Sequence, residues 1–301
     1  MSESSHVSVM VTEVMEALDL QPGETVVDGT VGLGGHSREI AAAIKPGGRL
    51  IAMDWDKEML AIAESNLQNA EVSVDFYRGD YRELPEAISS VGLETVDGIL
   101  MDLGLNNAQI EDESRGISFK NDAPLDMRMD RTRDLTAEEV VNEYSAHDIE
   151  RILLEYGDER WARRIAQVIV DRRKQQRIET TLQLVDCILA AVPAAMRDKR
   201  IHPATRTFQA LRIYVNRELD GLQEAIMENA KRLAPKGRMS VLSYHSGEDR
   251  AVKRAFRTLS DSGEFELVNK KPLTPSDTEV ATNPKSRSAK LRSIKRNEVT
   301  Q

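Results

Sequence analysis

The stretch Glu24-Thr25-Val26-Val27-Asp28-Gly29-Thr30-Val31-Gly32-Leu33-Gly34-Gly35-His36-Ser37 runs from a short apolar segment through a glycine-rich turn into helical periodicity. A strand feeding a helix in this way opens a βα unit. Glycines at such a junction let a ligand approach the backbone, and the following helix presents unpaired N–H groups to it. A dinucleotide fingerprint would want a further glycine at position 37, where Ser37 stands.

Outward from this turn the pattern repeats. RLIAMDWD (49–56), VSVDFYRGD (72–80) and VDGILMDLG (96–104) read as strands, with HSREIAAAI and KEMLAIAESNL as helices between them. The first hundred residues therefore predict an α/β fold with a parallel sheet. Asp54 follows Gly35 by 19 residues, where doubly wound folds place the carboxylate that holds ribose hydroxyls. NAD and S-adenosylmethionine both carry such a ribose, so Asp54 alone does not choose between them. Asp80 and Asp102 put acids at the next two strand ends. Carboxylates gathered there suit a cationic sulfonium better than a pyrophosphate, which they would repel.

After Gly104 the pattern stops. Residues 105–135 are polar and aperiodic, and from Thr136 to Asp198 the periodicity is helical: TAEEVVNEY, AHDIERILLEY, DERWARRIAQVIVDRRK and TTLQLVDCILAAV. A long helix is expected from about Pro203 to Leu233, before strands return at GRMSVLSYHS (237–246). FELVNK and SAKLRSIK would complete the sheet as an antiparallel pair. The expected organisation is a sheet domain in two parts, 1–110 and 206–301, with a small all-helical domain inserted at 111–205.

The chain has 301 residues with 41 Lys+Arg, 50 Asp+Glu and a net charge of −9. The charge is unevenly placed: residues 1–150 carry 11 basic and 31 acidic side chains, residues 151–301 carry 30 and 19. A negative first half and a positive second half point to an anionic partner such as nucleic acid for the second. No apolar run is long enough to cross a bilayer. The N-terminal segment lacks the basic flank of a secretory signal. Cys187 is the only cysteine and no Cys/His cluster has zinc spacing. A cytoplasmic enzyme or binding protein, with no metal and no membrane partner, is expected; homo-oligomers are compatible with the sequence.

HVSVM (6–10), DGTVGLGGHS (28–37), DLG with Gln109 (102–109), RGISF (115–119), PLDMRMD (124–130), HPATRTFQALRI (202–213), SYHSGEDR (243–250) and NPKSRSAKLR (283–292) occur in the order seen in the MraW/RsmH family, which the chain resembles over nearly its whole length. The resemblance implies a class I (Rossmann-like) methyltransferase sheet with a helical insertion. It also implies S-adenosylmethionine as cofactor and N4 of a cytidine in the decoding region of small-subunit (16S) ribosomal RNA as target, in free RNA or in the assembled subunit. The family's cofactor contacts fall here on Gly34, Gly35, His36, Asp54, Tyr81, Asp102 and Gln109. The chain departs from relatives at Asn106, Asn107 and Ala108, where two serines and a proline are usual, and at Tyr244 and Gly247, where Phe and Leu are usual.

Methylating an exocyclic amine is a direct displacement, needing the nitrogen in line and an acceptor for its proton. Attack through C5 of a pyrimidine would need a cysteine nucleophile. Cys187 sits at helical spacing with Leu184, Ile188 and Val192 and reads as core. Asp102 is the first candidate to hold or deprotonate the amine; His245, beside Ser246 at the fifth strand end, is the second, and it can equally hydrogen-bond the neighbouring loop. For RNA, the helix HPATRTFQALRIYVNREL presents Arg206, Gln209, Arg212 and Asn216 beside an apolar stripe, and these side chains can reach base edges or phosphate. A solvated face would read the same. Residues 250–296 carry 12 basic against 5 acidic side chains. Lys285, Arg287 and Lys290, spaced by Ser286 and Ser288, read as phosphate contacts in a strand pair. Two other readings remain: an RNA-binding ribosome-assembly factor with a vestigial cofactor pocket, and an NAD-dependent oxidoreductase.

Overall fold

The computed structural model describes residues 8–104, 115–129, 131–198 and 201–298. They form two compact units, Met1–Gly104 with Gly221–Gln301, and Leu105–Asp220. The first unit begins with α1 (Val11–Leu18), β1 (Thr25–Asp28), α2 (Gly35–Ile44), β2 (Arg49–Asp54), α3 (Lys57–Leu67), β3 (Ser73–Arg78), α4 (Leu84–Ser90) and β4 (Val96–Asp102). The second unit contributes α5 (Ala137–Glu143), α6 (Ala146–Gly157), α7 (Ala162–Arg173), α8 (Thr181–Ala191) and α9 (Thr205–Asn216). The chain returns to the first with α10 (Leu222–Ala230), β5 (Leu233–Ser243), α11 (Ser246–Asp261), β6 (Phe265–Leu267), α12 (Asp277–Thr282) and β7 (Lys290–Arg296).

The seven strands form one sheet in the order β3-β2-β1-β4-β5-β7-β6. Strands β1 to β5 run parallel, and β7 lies antiparallel to both β5 and β6. Val26, Val27, Leu50, Ile51, Ile99, Leu100, Val241 and Leu242 are buried along near-continuous apolar runs, as a parallel sheet requires when helices cover its faces. The strand order reverses between β1 and β4, and α/β sheets bind ligands outside the carboxyl ends of their strands at such a switch point.

The helical unit has its own core, in which Leu125, Val140, Ile149, Leu153, Ile165, Ile169, Leu184, Cys187 and Ile188 are buried. Thr136, Ser145 and Thr180 cap α5, α6 and α8 by accepting the N–H three residues on. Cys187 is 1% exposed, a core residue as its spacing suggests.

Three expectations need correction. The helix expected from Pro203 to Leu233 is two helices, because Arg217 (φ 53°) and Gly221 (φ 66°) both adopt the left-handed conformation, and β5 starts already at Leu233. Phe208, Leu211 and Val215 of α9 are buried in the helical core, so the return to the sheet unit lies at Gly221 and not at 206. Pro284–Ser288 forms a 3₁₀ turn, so Lys285 and Arg287 precede the strand in which they were expected.

Candidate active site

The glycine loop is shaped by what packs on it. Gly34 sits at φ 83° as the residue before α2, a conformation that favours glycine. A Cβ on Gly35 would lie 1.9 Å from Ser8 Oγ, so the glycine admits the N-terminal segment. The next residue of that segment, Val9, holds His36: its carbonyl lies 2.9 Å from the buried imidazole Nε2. A carbonyl only accepts, so Nε2 carries the proton and Nδ1 is the nitrogen that faces Asp102, 3.6 Å from its Oδ2.

Three acids without a Lys or Arg partner among the described residues end β1, β2 and β4. Asp28 accepts the Ser37 hydroxyl at 2.7 Å and the Thr30 N–H at 3.2 Å, and burial pushes its carboxyl up. Asp54 accepts the N–H of Gly32 and of Asp56, each at 2.9 Å. Burial pushes its carboxyl up to about 6, with the two backbone hydrogen bonds acting the other way. Each Asp54 oxygen keeps a lone pair able to accept from a sugar hydroxyl.

Asp102 lies at the switch point. Its backbone N–H donates to Thr30 Oγ1 at 2.7 Å, pinning the strand end to the glycine loop. Its Oδ1 accepts the Tyr244 hydroxyl at 2.6 Å. Burial raises the Asp102 carboxyl, while His36 and the Tyr244 hydrogen bond pull it down. A quarter of its side chain (25%) still faces solvent, so a ligand can reach it. Tyr244 itself is held well above the usual phenol range by burial and by Asp102, so it remains a donor. In the sequence Tyr244 stands out only as a departure from the family; its position next to the fifth strand end was the available signal.

His245 takes the structural role open to it. It caps α11, its Nδ1 accepting the Glu248 N–H at 3.3 Å. Its Nε2 lies 3.2 Å from Glu248 Oε1 but out of hydrogen-bonding direction. Glu248 in turn accepts the backbone N–H of Tyr244 at 2.8 Å and of His245 at 3.3 Å. Both side chains are buried, and together they set the β5–α11 turn that presents Tyr244 to Asp102.

Asp80 also departs from expectation. It caps the short 3₁₀ helix Tyr81–Glu83 and pairs with the Arg82 guanidinium at 2.8 Å, so its charge is already met. That guanidinium also lies 4.7 Å from the centre of the Tyr81 ring. Gln109, with Asn106 and Asn107, lies outside the described residues.

Two of the four polar residues singled out on α9, Arg212 and Asn216, are committed internally. Arg212 makes two 2.9 Å hydrogen bonds to Glu218, the pair being mostly shielded from solvent. Asn216 accepts the Met129 N–H and donates to the carbonyls of Met127 and Arg212, each at 2.8 Å. It thereby meets the backbone of the PLDMRMD segment, whose polar groups would otherwise lack partners. Arg206 donates to the Asp158 carbonyl at 3.3 Å. Gln209 is partly exposed on the same helix. Near the C-terminus, Lys290 pairs with Asp249 at 2.8 Å, while Lys285 and Arg287 are exposed.

The edge thus offers a glycine turn before a helix, an acid at the second strand end with lone pairs to spare and further carboxylates without a cation beside them, a donor set that fits S-adenosylmethionine. The family model described as the MraW methylase family matches residues 3–297. The chain is 42% identical to the ribosomal RNA small subunit methyltransferase H of Geobacter sp. (strain M21), covering 98% of this chain and 100% of that one. It is 45% identical to the protein of the same name from Thermotoga neapolitana, over 95% of this chain and 94% of the other. Among solved structures, a putative rRNA-methylase from Clostridium thermocellum superposes with a TM-score of 0.47 at 12% identity, covering 97% of this chain and 99% of that one. On the family model and these identities along almost the full length, the chain belongs to the MraW methylase family.

Proposed function

We propose that this protein methylates N4 of a cytidine in the decoding region of small-subunit ribosomal RNA by direct displacement. It is a methyltransferase that uses S-adenosylmethionine. The names of its relatives support small-subunit ribosomal RNA as the substrate. The glycine loop, Asp54 and Asp102 would hold the cofactor, which when bound supplies an electrophilic methyl group.

The observation that carries the N4 assignment is the Asp102 carboxylate, open to solvent and raised by burial, with Tyr244 fixing Oδ1. Oδ2 is left to accept a hydrogen from an amine, and His36 Nδ1 beside it stabilises the charge balance as the proton arrives. A route through C5 would need a thiolate, and the sole cysteine is buried in the helical core with its thiol pushed up by burial.

The test is methyl transfer to small ribosomal subunits and to free 16S RNA, followed by nucleoside analysis. N4-methylcytidine supports the proposal, and a methyl group on C5 or on the ribose overturns it. RNA binding with no transfer would favour an assembly factor.

A further inference from the structure

We infer that the solvent face of α11 is the ridge along which the RNA backbone lies as it enters the β4–β5 edge; this placement rests on the RNA substrate proposed above. Helix α11 buries Val252, Ala255, Phe256 and Leu259 on one side. The other side carries Arg250, Lys253, Arg254 and Arg257, all exposed. At spacings of three and four these four side chains line one face, over a rise of about 10 Å.

Several other cations are committed to ion pairs. Arg128 pairs with Asp126, Arg177 with Glu138 and Glu143, Arg212 with Glu218, and Lys290 and Arg292 with Asp249. On the ridge, Lys253 and Arg254 have no carboxylate partner among the described residues. The first-turn acids do not offset them, since Glu248 is buried under the turn and Asp249 is engaged by β7. Asp261, at the far end, stands 3.8 Å from Arg257 with both side chains more than 70% exposed. Like charges three and four apart destabilise a helix, a cost that a polyanion laid along the face removes.

Position and composition identify the polyanion. The helix begins two residues after Tyr244, whose hydroxyl rests on Asp102, so the ridge leads away from the reacting edge. A helix that lies on membranes exposes an apolar face, and the large apolar residues of α11 are all buried. A nucleic-acid backbone needs only the cations.

The experiment measures affinity of the full-length protein for small-subunit ribosomal RNA across a salt series. The wild type is compared with Lys253→Glu/Arg254→Glu and with Lys270→Glu/Lys271→Glu, an exposed pair after β6 that carries the same change in charge. The ridge variant should bind at least about tenfold more weakly at 0.1 M salt, with a log–log slope shallower by roughly 1.4, about 0.7 for each phosphate that is no longer neutralised. Its melting temperature should hold or rise, because Lys253→Glu puts a carboxylate four residues before Arg257. Calorimetric affinity for S-adenosylmethionine should not change. An unchanged slope, or equal loss in both variants, overturns the placement. A wild type with no measurable affinity for small-subunit ribosomal RNA even at low salt overturns the RNA substrate itself.

Discussion

The carboxylates at the strand ends of the sheet unit and those of the helical unit are the same chemical group in opposite states. Asp28, Asp54 and Asp102 are raised by burial, with no Lys or Arg among the described residues against them. Asp126, in the helical unit, is partly buried too, but hydrogen bonds from Arg128 outweigh that and hold it below the usual range. Where a fold leaves buried acids unmet, the compensating charge or donor comes from a ligand; where an arginine meets them, the charge is spent on architecture. The same contrast separates the exposed cations of α11 from the latched Arg212 of α9.

The largest effect expected from this contrast is at Asp102. Asp102→Asn keeps the shape and the Tyr244 contact but removes the acceptor, so single-turnover methyl transfer should fall by about 10²–10⁴-fold while S-adenosylmethionine still binds. A variant with the wild-type single-turnover rate would remove the acid from the chemistry.

Arg212 tests the other side. Arg212→Ala leaves Glu218 shielded without its partner and should cost about 3 kcal/mol in denaturant unfolding. RNA affinity per folded molecule should stay the same. Lost affinity with unchanged stability would return α9 to the RNA interface.

Asp54 gives a pH-dependent effect of intermediate size. Its folded value of about 6 exceeds the roughly 3.9 of an unfolded aspartate, so its contribution to stability is complete below about pH 4 and disappears as pH climbs through 6. Measured against Asp54→Asn, the ligand-free wild type should lose about 2 kcal/mol between pH 4 and 7. Affinity for S-adenosylmethionine should rise over the same interval, since ribose hydroxyls donate to the ionised form. A flat difference across that range would mean that Asp54 is not strained by burial.

The sheet was legible because β1, β2 and the second half of β4 are apolar runs closed by an acid, and such runs have few other uses. Asp54 and Asp102 could be picked out for the same reason. The α9 stripe is ambiguous in the sequence because Arg and Asn offer the same hydrogen bonds to a carboxylate or a backbone as to a phosphate or a base. Only the fold brings Met127 and Met129 to Asn216, across 89 and 87 positions of sequence. His245 is ambiguous in the same way, since an imidazole able to take a proton can also accept an amide in a cap, as it does here. Tyr244 could not be assigned a role, because its partner lies 142 positions away.

The smallest and sharpest effect belongs to Tyr244. Asp102 faces His36 from α2, Asp28 from β1, Tyr244 from the end of β5 and Glu248 from α11; Glu279 of α12 acts on Tyr244. Among these the Tyr244 hydroxyl is the donor at 2.6 Å that favours the ionised carboxylate. Tyr244→Phe removes it without opening a cavity, so the Asp102 carboxyl should move further up and the acidic limb of the rate profile should shift to higher pH. At neutral pH the rate should fall by about fivefold, equivalent to about 1 kcal/mol for one hydrogen bond. A merely structural tyrosine would change the melting temperature and leave the limb in place. An unmoved limb together with a lowered rate would mean that Tyr244 orients Asp102 without tuning it. The comparison between unmet and met acids would then rest on Asp28 and Asp54.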